Sequence, residues 1–127
     1  MKYLVTGGAG FIGSNLAFAL AGERKAKVAV LDNFSSGTLE NLSFTKELTS
    51  AEGGSAYGGN LRNYELIRKD IRDAPACDEA CRDMDFILHQ AALRSVPKSM
   101  HHPREYNEVN IAGTLNMLEA ALKNKAK

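Results

Sequence analysis

The chain has 127 residues, 44% of them hydrophobic and 24% charged, the make-up of one soluble globular domain long enough for a single core. Sixteen Lys and Arg against fifteen Asp and Glu leave a net charge of +1, which gives no reason to expect nucleic acid or a membrane surface as partner. No apolar run approaches the length of a membrane span, and Met1-Lys2-Tyr3 leads directly into a strand, so the expectation is a cytoplasmic protein without a secretion signal.

The first predicted strand, Tyr3 to Val5, breaks into Thr6-Gly7-Gly8-Ala9-Gly10-Phe11-Ile12-Gly13, and a helix is expected from Phe11 to Ala21. A tight turn that lets backbone approach a ligand calls for glycine, which tolerates positive φ and leaves N–H groups uncovered. Those groups and the positive end of the helix suit a pyrophosphate. Gly13 falls in the first helical turn, where a side chain would hold helix and strand apart. Along the helix Ile12, Leu16, Ala19 and Leu20 form an apolar stripe, and Gly22 ends it.

A second apolar strand, Lys27-Val28-Ala29-Val30-Leu31, ends in Asp32. An acid about twenty residues beyond the glycine turn is placed to accept hydrogen bonds from the adenosine ribose hydroxyls of NAD. The spacing Gly7-x-x-Gly10-x-x-Gly13 after Thr6 resembles the extended short-chain dehydrogenase/reductase family, whose members include sugar-nucleotide epimerases and dehydratases. The resemblance implies a Rossmann-type parallel sheet of order 3-2-1-4 with flanking helices. It also implies that the loop Asp32-Asn33-Phe34-Ser35-Ser36-Gly37 wraps the adenosine, with Asn33, Ser35 and Gly37 at the cofactor. No arginine directly follows Asp32, so NAD is favoured over NADP.

Leu39, Leu42 and Leu48 suggest a short helix, and the glycine-rich 52–60 a loop. A third strand, Tyr64-Glu65-Leu66-Ile67-Arg68, leads to Asp70-Ile71-Arg72-Asp73. By the resemblance, Asp70 accepts from the adenine amine and Ile71 covers the ring. Asp73 is a candidate cap for the next helix, with Pro75 in its first turn. Cys77 and Cys81 lie four apart on that helix. With no further ligand at suitable spacing they read as small core residues, not as a metal site or a disulfide.

The fourth strand, Phe86-Ile87-Leu88-His89, runs into Gln90-Ala91-Ala92. The segment from His89 to Ser99 resembles sugar-nucleotide 4-epimerases, especially those acting on UDP-N-acetylglucosamine. That likeness puts Gln90, Ala91 and Ala92 against the nicotinamide ribose and Lys98 toward the pyrophosphate or the nicotinamide ribose. His89, closing a buried strand, reads as a core residue with one satisfied nitrogen and not as a base. After His101-His102-Pro103 a last helix is expected, with Glu105 and Glu108 near its positive end. Asn110 matches a family asparagine that supports the cofactor end of the site. Ile111, Leu115, Leu118 and Leu122 define one apolar face of this helix; Val109, Gly113 and Met117 define another.

By the resemblance, hydride transfer between NAD and a sugar carbon uses a tyrosine acid/base, a lysine four residues later and a Ser or Thr. Tyr3, Tyr57, Tyr64 and Tyr106 are followed at that spacing by Gly7, Leu61, Arg68 and Asn110, so the chain holds no Tyr-x-x-x-Lys and no catalytic residue is assigned. The expectation is one NAD-binding domain over residues 1–127, ending before the fifth strand, the N-terminal portion of a UDP-sugar 4-epimerase and inactive alone. A stand-alone nucleotide-binding or assembly protein and a piece of a dehydratase or decarboxylase are the alternatives. Homo-oligomerisation through the free edge of the fourth strand and the last helix is expected, because both present unpartnered surface.

Overall fold

Strand and helix alternate because apolar runs of strand length alternate with small-residue helices. The computed structural model describes residues 1–23, 25–42 and 64–127. β1 (Lys2–Thr6), β2 (Lys27–Leu31), β3 (Tyr64–Ile67) and β4 (Phe86–His89) form one parallel sheet of order β3-β2-β1-β4. The register pairs Leu4 with Ala29 and Ile87, and Val5 with Val30 and Leu88. Successive side chains point to opposite faces, so each strand feeds two cores. Leu4, Ala29 and Leu31 join Cys77, Cys81, Val109 and Met117 on one face, while Val5, Val28 and Val30 join Ala17 and Ala21 on the other.

α1 (Phe11–Ala21) covers the second face. The stripe expected to bury was Ile12, Leu16, Ala19 and Leu20, but the buried residues are Gly13, Ser14, Ala17 and Ala21. The glycine turn draws the helix close to the sheet, so the smallest side chains face inward. Ile12 is left 57% exposed at the turn. Gly22 caps the helix at φ −71°, so the stop uses no left-handed residue.

Leu39–Leu42 is a 3₁₀ turn; Leu48 and the 52–60 loop lie outside the described residues. α2 (Ala74–Ala80) starts as expected on Asp73, whose carboxylate accepts from Ala76 N at 3.1 Å. α3 (Val96–His101) is a short helix that was not expected. The last helix is interrupted: α4 (Pro103–Asn107) passes into a π-helical segment (Glu108–Gly113) and then α5 (Thr114–Asn124). Val109, Gly113, Met117 and Ala120 are buried toward α2 and the sheet. Ile111, Leu115, Leu118 and Leu122 are 54–81% exposed, so the two faces are as expected.

The far edge of β4 differs from expectation. Lys127 donates its N–H to Asp85 O at 3.0 Å and accepts from Ile87 N at 2.7 Å. The edge expected to be free is therefore occupied at those two residues by the segment after α5. A parallel neighbour strand would bond there in the same way.

Candidate functional site

The loops leaving the carboxyl ends of all four strands converge on one cleft, lined by residues of 7–13, 31–36, 69–72 and 90–94. In an open parallel sheet this is where ligands bind, at the crevice where the strand order reverses. The space between protein atoms, open mouth included, is about 950 Å³, enough for an extended ligand rather than a single ring.

The glycine turn divides its labour. Gly7 has φ +64°, and a Cβ there would stand 2.7 Å from Ala91 N and Gln90 C, so glycine lets the turns after β1 and β4 touch. A Cβ on Gly13 would run into the Gly7 carbonyl and the Gly8 Cα, which is the close helix–strand approach expected of it. Gly10 is the helix N-cap and contributes no side-chain cap bond. Among the described residues a Cβ on it would meet only Gly7 O, at 3.2 Å. The space over Gly10 and the first N–H groups of α1 is thus left to a ligand. Phe11 and Ile12, 73% and 57% exposed, stand at the same mouth.

Asp32 is only 7% exposed. Its Oδ2 accepts from Ala9 N and its Oδ1 from Phe34 N, both at 2.8 Å, so it ties the glycine turn to the loop after β2. Each oxygen keeps a lone pair for a further donor. Phe34 takes φ +59° in that loop, with the Arg68 guanidinium 5.3 Å over its ring. Gly37 is not at the cleft: a Cβ there would stand 2.6 Å from Ala9 C, and Thr38 N donates to Ala9 O beside it. It seats the loop on the turn and does not face the cleft.

At the opposite end, Asn33, Ser35, Asp70 and Ile71 line the cleft, and the side chains of Asn33 and Asp70 are already engaged. Asp70 accepts from Arg72 N at 2.9 Å, Arg72 Nε at 3.1 Å, Arg72 Nη2 at 2.7 Å and Asn33 Nδ2 at 2.8 Å. Those donors match the four or so lone-pair sites of a carboxylate, so an adenine amine would reach Asp70 only by displacing one of them. The Arg72 side-chain bond, above all, lowers the Asp70 pKa to about 2. Asn33 Oδ1 accepts from Ser35 N at 2.9 Å. Ile71 is 4% exposed and packs on Gly113, where a Cβ would come within 2.7 Å of its Cδ1. Its carbonyl accepts from Cys77 Sγ at 3.2 Å and Asn116 Nδ2 at 2.9 Å.

Gln90, Ala91 and Ala92 line the cleft as expected, and Lys98 does not. Lys98 is an exposed residue of α3, a helix that Ser95 caps by accepting from Lys98 N at 3.4 Å. Asn110 does not line the cleft either; it grips the loop that does. Its Oδ1 accepts from Leu93 N and its Nδ2 donates to Leu93 O, each at 2.8 Å. Both nitrogens of His89 are engaged, Nδ1 with Thr6 Oγ1 at 2.7 Å and Nε2 with Thr114 Oγ1 at 3.1 Å, and burial pushes its pKa down. Leu31, Ser36, Lys69, Arg72, Leu93, Arg94, Glu105 and Val109 also line the cleft and were not among the expected site residues. Of these, Val109 carried a signal, its helical spacing from Gly113.

The chain matches the family described as NAD dependent epimerase/dehydratase over residues 3–127. It belongs to that family. Members similar to it include the bifunctional UDP-glucose 4-epimerase and UDP-xylose 4-epimerase 1 of Pisum sativum, 32% identical over 99% of this chain and 34% of that protein. The UDP-N-acetyl-alpha-D-glucosaminuronate decarboxylase of Bacillus cytotoxicus is 37% identical, again over 99% of this chain and 34% of its own length. Among solved structures, the UDP-glucose 4-epimerase of Thermus thermophilus in complex with NAD superposes with a TM-score of 0.76 at 36% identity, covering 100% of this chain and 35% of that one. The chain therefore spans about a third of the length of these family members.

Proposed function

We propose that this chain binds NAD in the cleft at the strand ends, as the dinucleotide-binding part of a UDP-sugar 4-epimerase. The observation that carries the reading is the open space over Gly10 with the first turn of α1 behind it and the buried Asp32 carboxylate beside it. The fit is that of a diphosphate over the helix start and a ribose at the acid. Gly7, Gly10, Phe11, Ile12 and Gly13 would shape the pyrophosphate end, and Asp32, Asn33 and Ser35 the adenosine ribose. Asp70 and Ile71 would border the adenine, and Gln90, Ala91 and Ala92 the nicotinamide ribose. Gly37 and Asn110 would act by holding these loops in place. When bound, NAD supplies a nicotinamide ring that takes up and returns hydride.

Titration calorimetry with NAD, ADP-ribose and NADP tests this. Binding of NAD and ADP-ribose is expected, and silence from all of them at millimolar concentration in folded protein overturns the reading. The chain alone is expected not to interconvert UDP-glucose and UDP-galactose, since it contains no Tyr-x-x-x-Lys and general acid–base help of that kind is worth about 10²–10⁴-fold. Chromatography of UDP-sugars incubated with the chain and NAD checks it. The similarity to a decarboxylase favours a second reading, in which the complete protein acts on a UDP-uronate.

The exposed stripe Ile111, Leu115, Leu118 and Leu122 runs at seam-like spacing along one side of the last helix. We assign it to a second copy of the chain, packed helix on helix about a two-fold axis. The β4 edge, already bonded to Lys127 at two residues, has a smaller part in this than the sequence suggested. Sedimentation equilibrium at micromolar concentration decides: a 13.8 kDa species that stays unassociated defeats the assignment.

A further inference from the structure

The cleft wall at 90–93 hangs from two anchors, and one imidazole joins them. At the first anchor Thr6 Oγ1 meets the N–H groups of Gln90 and Ala91, each at 3.2 Å. Gln90 shares its proton with the Thr6 carbonyl at 3.1 Å, whereas Ala91 is bonded to the hydroxyl oxygen. A hydroxyl has one proton and two lone pairs. With both lone pairs facing N–H donors, the Thr6 proton is left to His89 Nδ1, 2.7 Å away, which must then be bare.

The second anchor gives the same answer independently. Thr114 Oγ1 donates to Asn110 O at 2.8 Å, so toward His89 Nε2, 3.1 Å away, it can only accept. Nε2 must therefore carry the ring proton. The same Asn110 holds Leu93 by both its amide groups. From these two ends we infer that His89 is a positioning residue for the cofactor cleft, locked as the neutral Nε2–H tautomer, which accepts the Thr6 hydroxyl proton in a hydrogen bond so that its oxygen lone pairs face the N–H groups after β4, and which braces the π-helical turn that grips Leu93.

A ring with its proton on Nδ1 would put two donors face to face at Thr6 and leave Thr114 without one. An imidazolium fails at Thr6 in the same way. His89 is thus tied to function through its hydrogen-bond direction and not through proton transfer to a ligand. The inference rests on the NAD reading only for what occupies the cleft.

Long-range nitrogen–proton NMR of the intact chain reads the ring directly. A protonated Nε2 and bare Nδ1 are expected at neutral pH; the opposite tautomer, a charged ring or a mixture overturns the inference. Thr6→Val removes the aimed hydroxyl and Thr6→Ser restores it. In Thr6→Val the Ala91 amide should exchange faster and NAD affinity fall by about ten-fold, with Thr6→Ser within about two-fold of the wild type on both measures. An unchanged Ala91 amide in Thr6→Val, or an equal loss in Thr6→Ser, defeats it. Should Thr6→Val not fold, Thr114→Val leaves the Thr6 anchor by itself: the ring should keep its proton on Nε2 with Nδ1 bare, and an Nδ1–H ring or a mixture of tautomers defeats the inference. A wild-type chain that binds no NAD refutes the cofactor reading, while ring nitrogens and the Ala91 amide still decide the role of His89.

Discussion

The two ends of the cleft are built on opposite plans. At the glycine turn, recognition groups are backbone or buried: Asp32 is 7% exposed and fixed by two backbone N–H groups, and Gly7 and Gly13 sit where no Cβ fits. At the end of β3, recognition would rest on long side chains, with Asp70 and Arg72 26% and 42% exposed and bonded to each other. Groups of the first kind are held in one geometry before a ligand arrives. Those of the second satisfy one another and must change partners to serve a ligand, which costs little because surface ion pairs are weak.

Substitutions should expose that difference. Gly13→Ala is the harshest, because its Cβ meets backbone that cannot yield; a loss of about 3 kcal/mol in urea unfolding is expected, the upper range for overpacking. Asp32→Ala orphans the buried Ala9 amide and the half-buried Phe34 amide and should cost about 2 kcal/mol of stability. It should also weaken NAD by about 1–3 kcal/mol in calorimetry. At the other end Arg72→Ala should cost less than about 1 kcal/mol. A loss there as large as that of Asp32→Ala would erase the contrast between the ends.

Titrations sharpen it further. The Asp70 carboxyl, held down to about 2 chiefly by its Arg72 hydrogen bond, should titrate by carbon NMR near that value and move back toward 3.8 in Arg72→Ala. Its pKa is depressed on folding, so its stabilisation is present above pH 4 and lost as pH falls toward 2. His89 is also depressed, by burial, from its ordinary 6.5. The unfolded chain then takes the proton first, and stability is full above pH 6.5 and declines below it. In urea melts at pH 7.5 and 5.5, His89→Phe should flatten that decline.

What the sequence could disclose follows the same division. The placement of Gly13 was legible from sterics and that of Asp32 from its distance beyond the glycine turn, while the strand order came from the family likeness. Asp70, Lys98 and Asn110 were assigned by likeness, and likeness places a residue without saying what else it bonds. Asp70 is met by Arg72 two residues on, Lys98 lies exposed on a short helix, and Asn110 faces Leu93. The inward face of α1 was misread because hydrophobicity marked Ile12 and Ala19 while close approach selected Gly13 and Ala17. The π-helical turn had no sequence signal, since one extra residue in a helix leaves the local pattern almost unchanged.

Cys77 and Cys81 are both free and fully shielded, and burial raises each thiol to about 11. An alkylating reagent attacks only thiolate that it can reach, so in the closed protein it finds neither. Labelling must wait for α2 to lift from α5, and its rate then counts those openings. Because the Cys77 thiol is bonded to the Ile71 carbonyl at the wall of the cleft, the same clock should slow when a ligand fills that cleft. The protein carries its own occupancy gauge, readable by mass spectrometry without a label attached in advance.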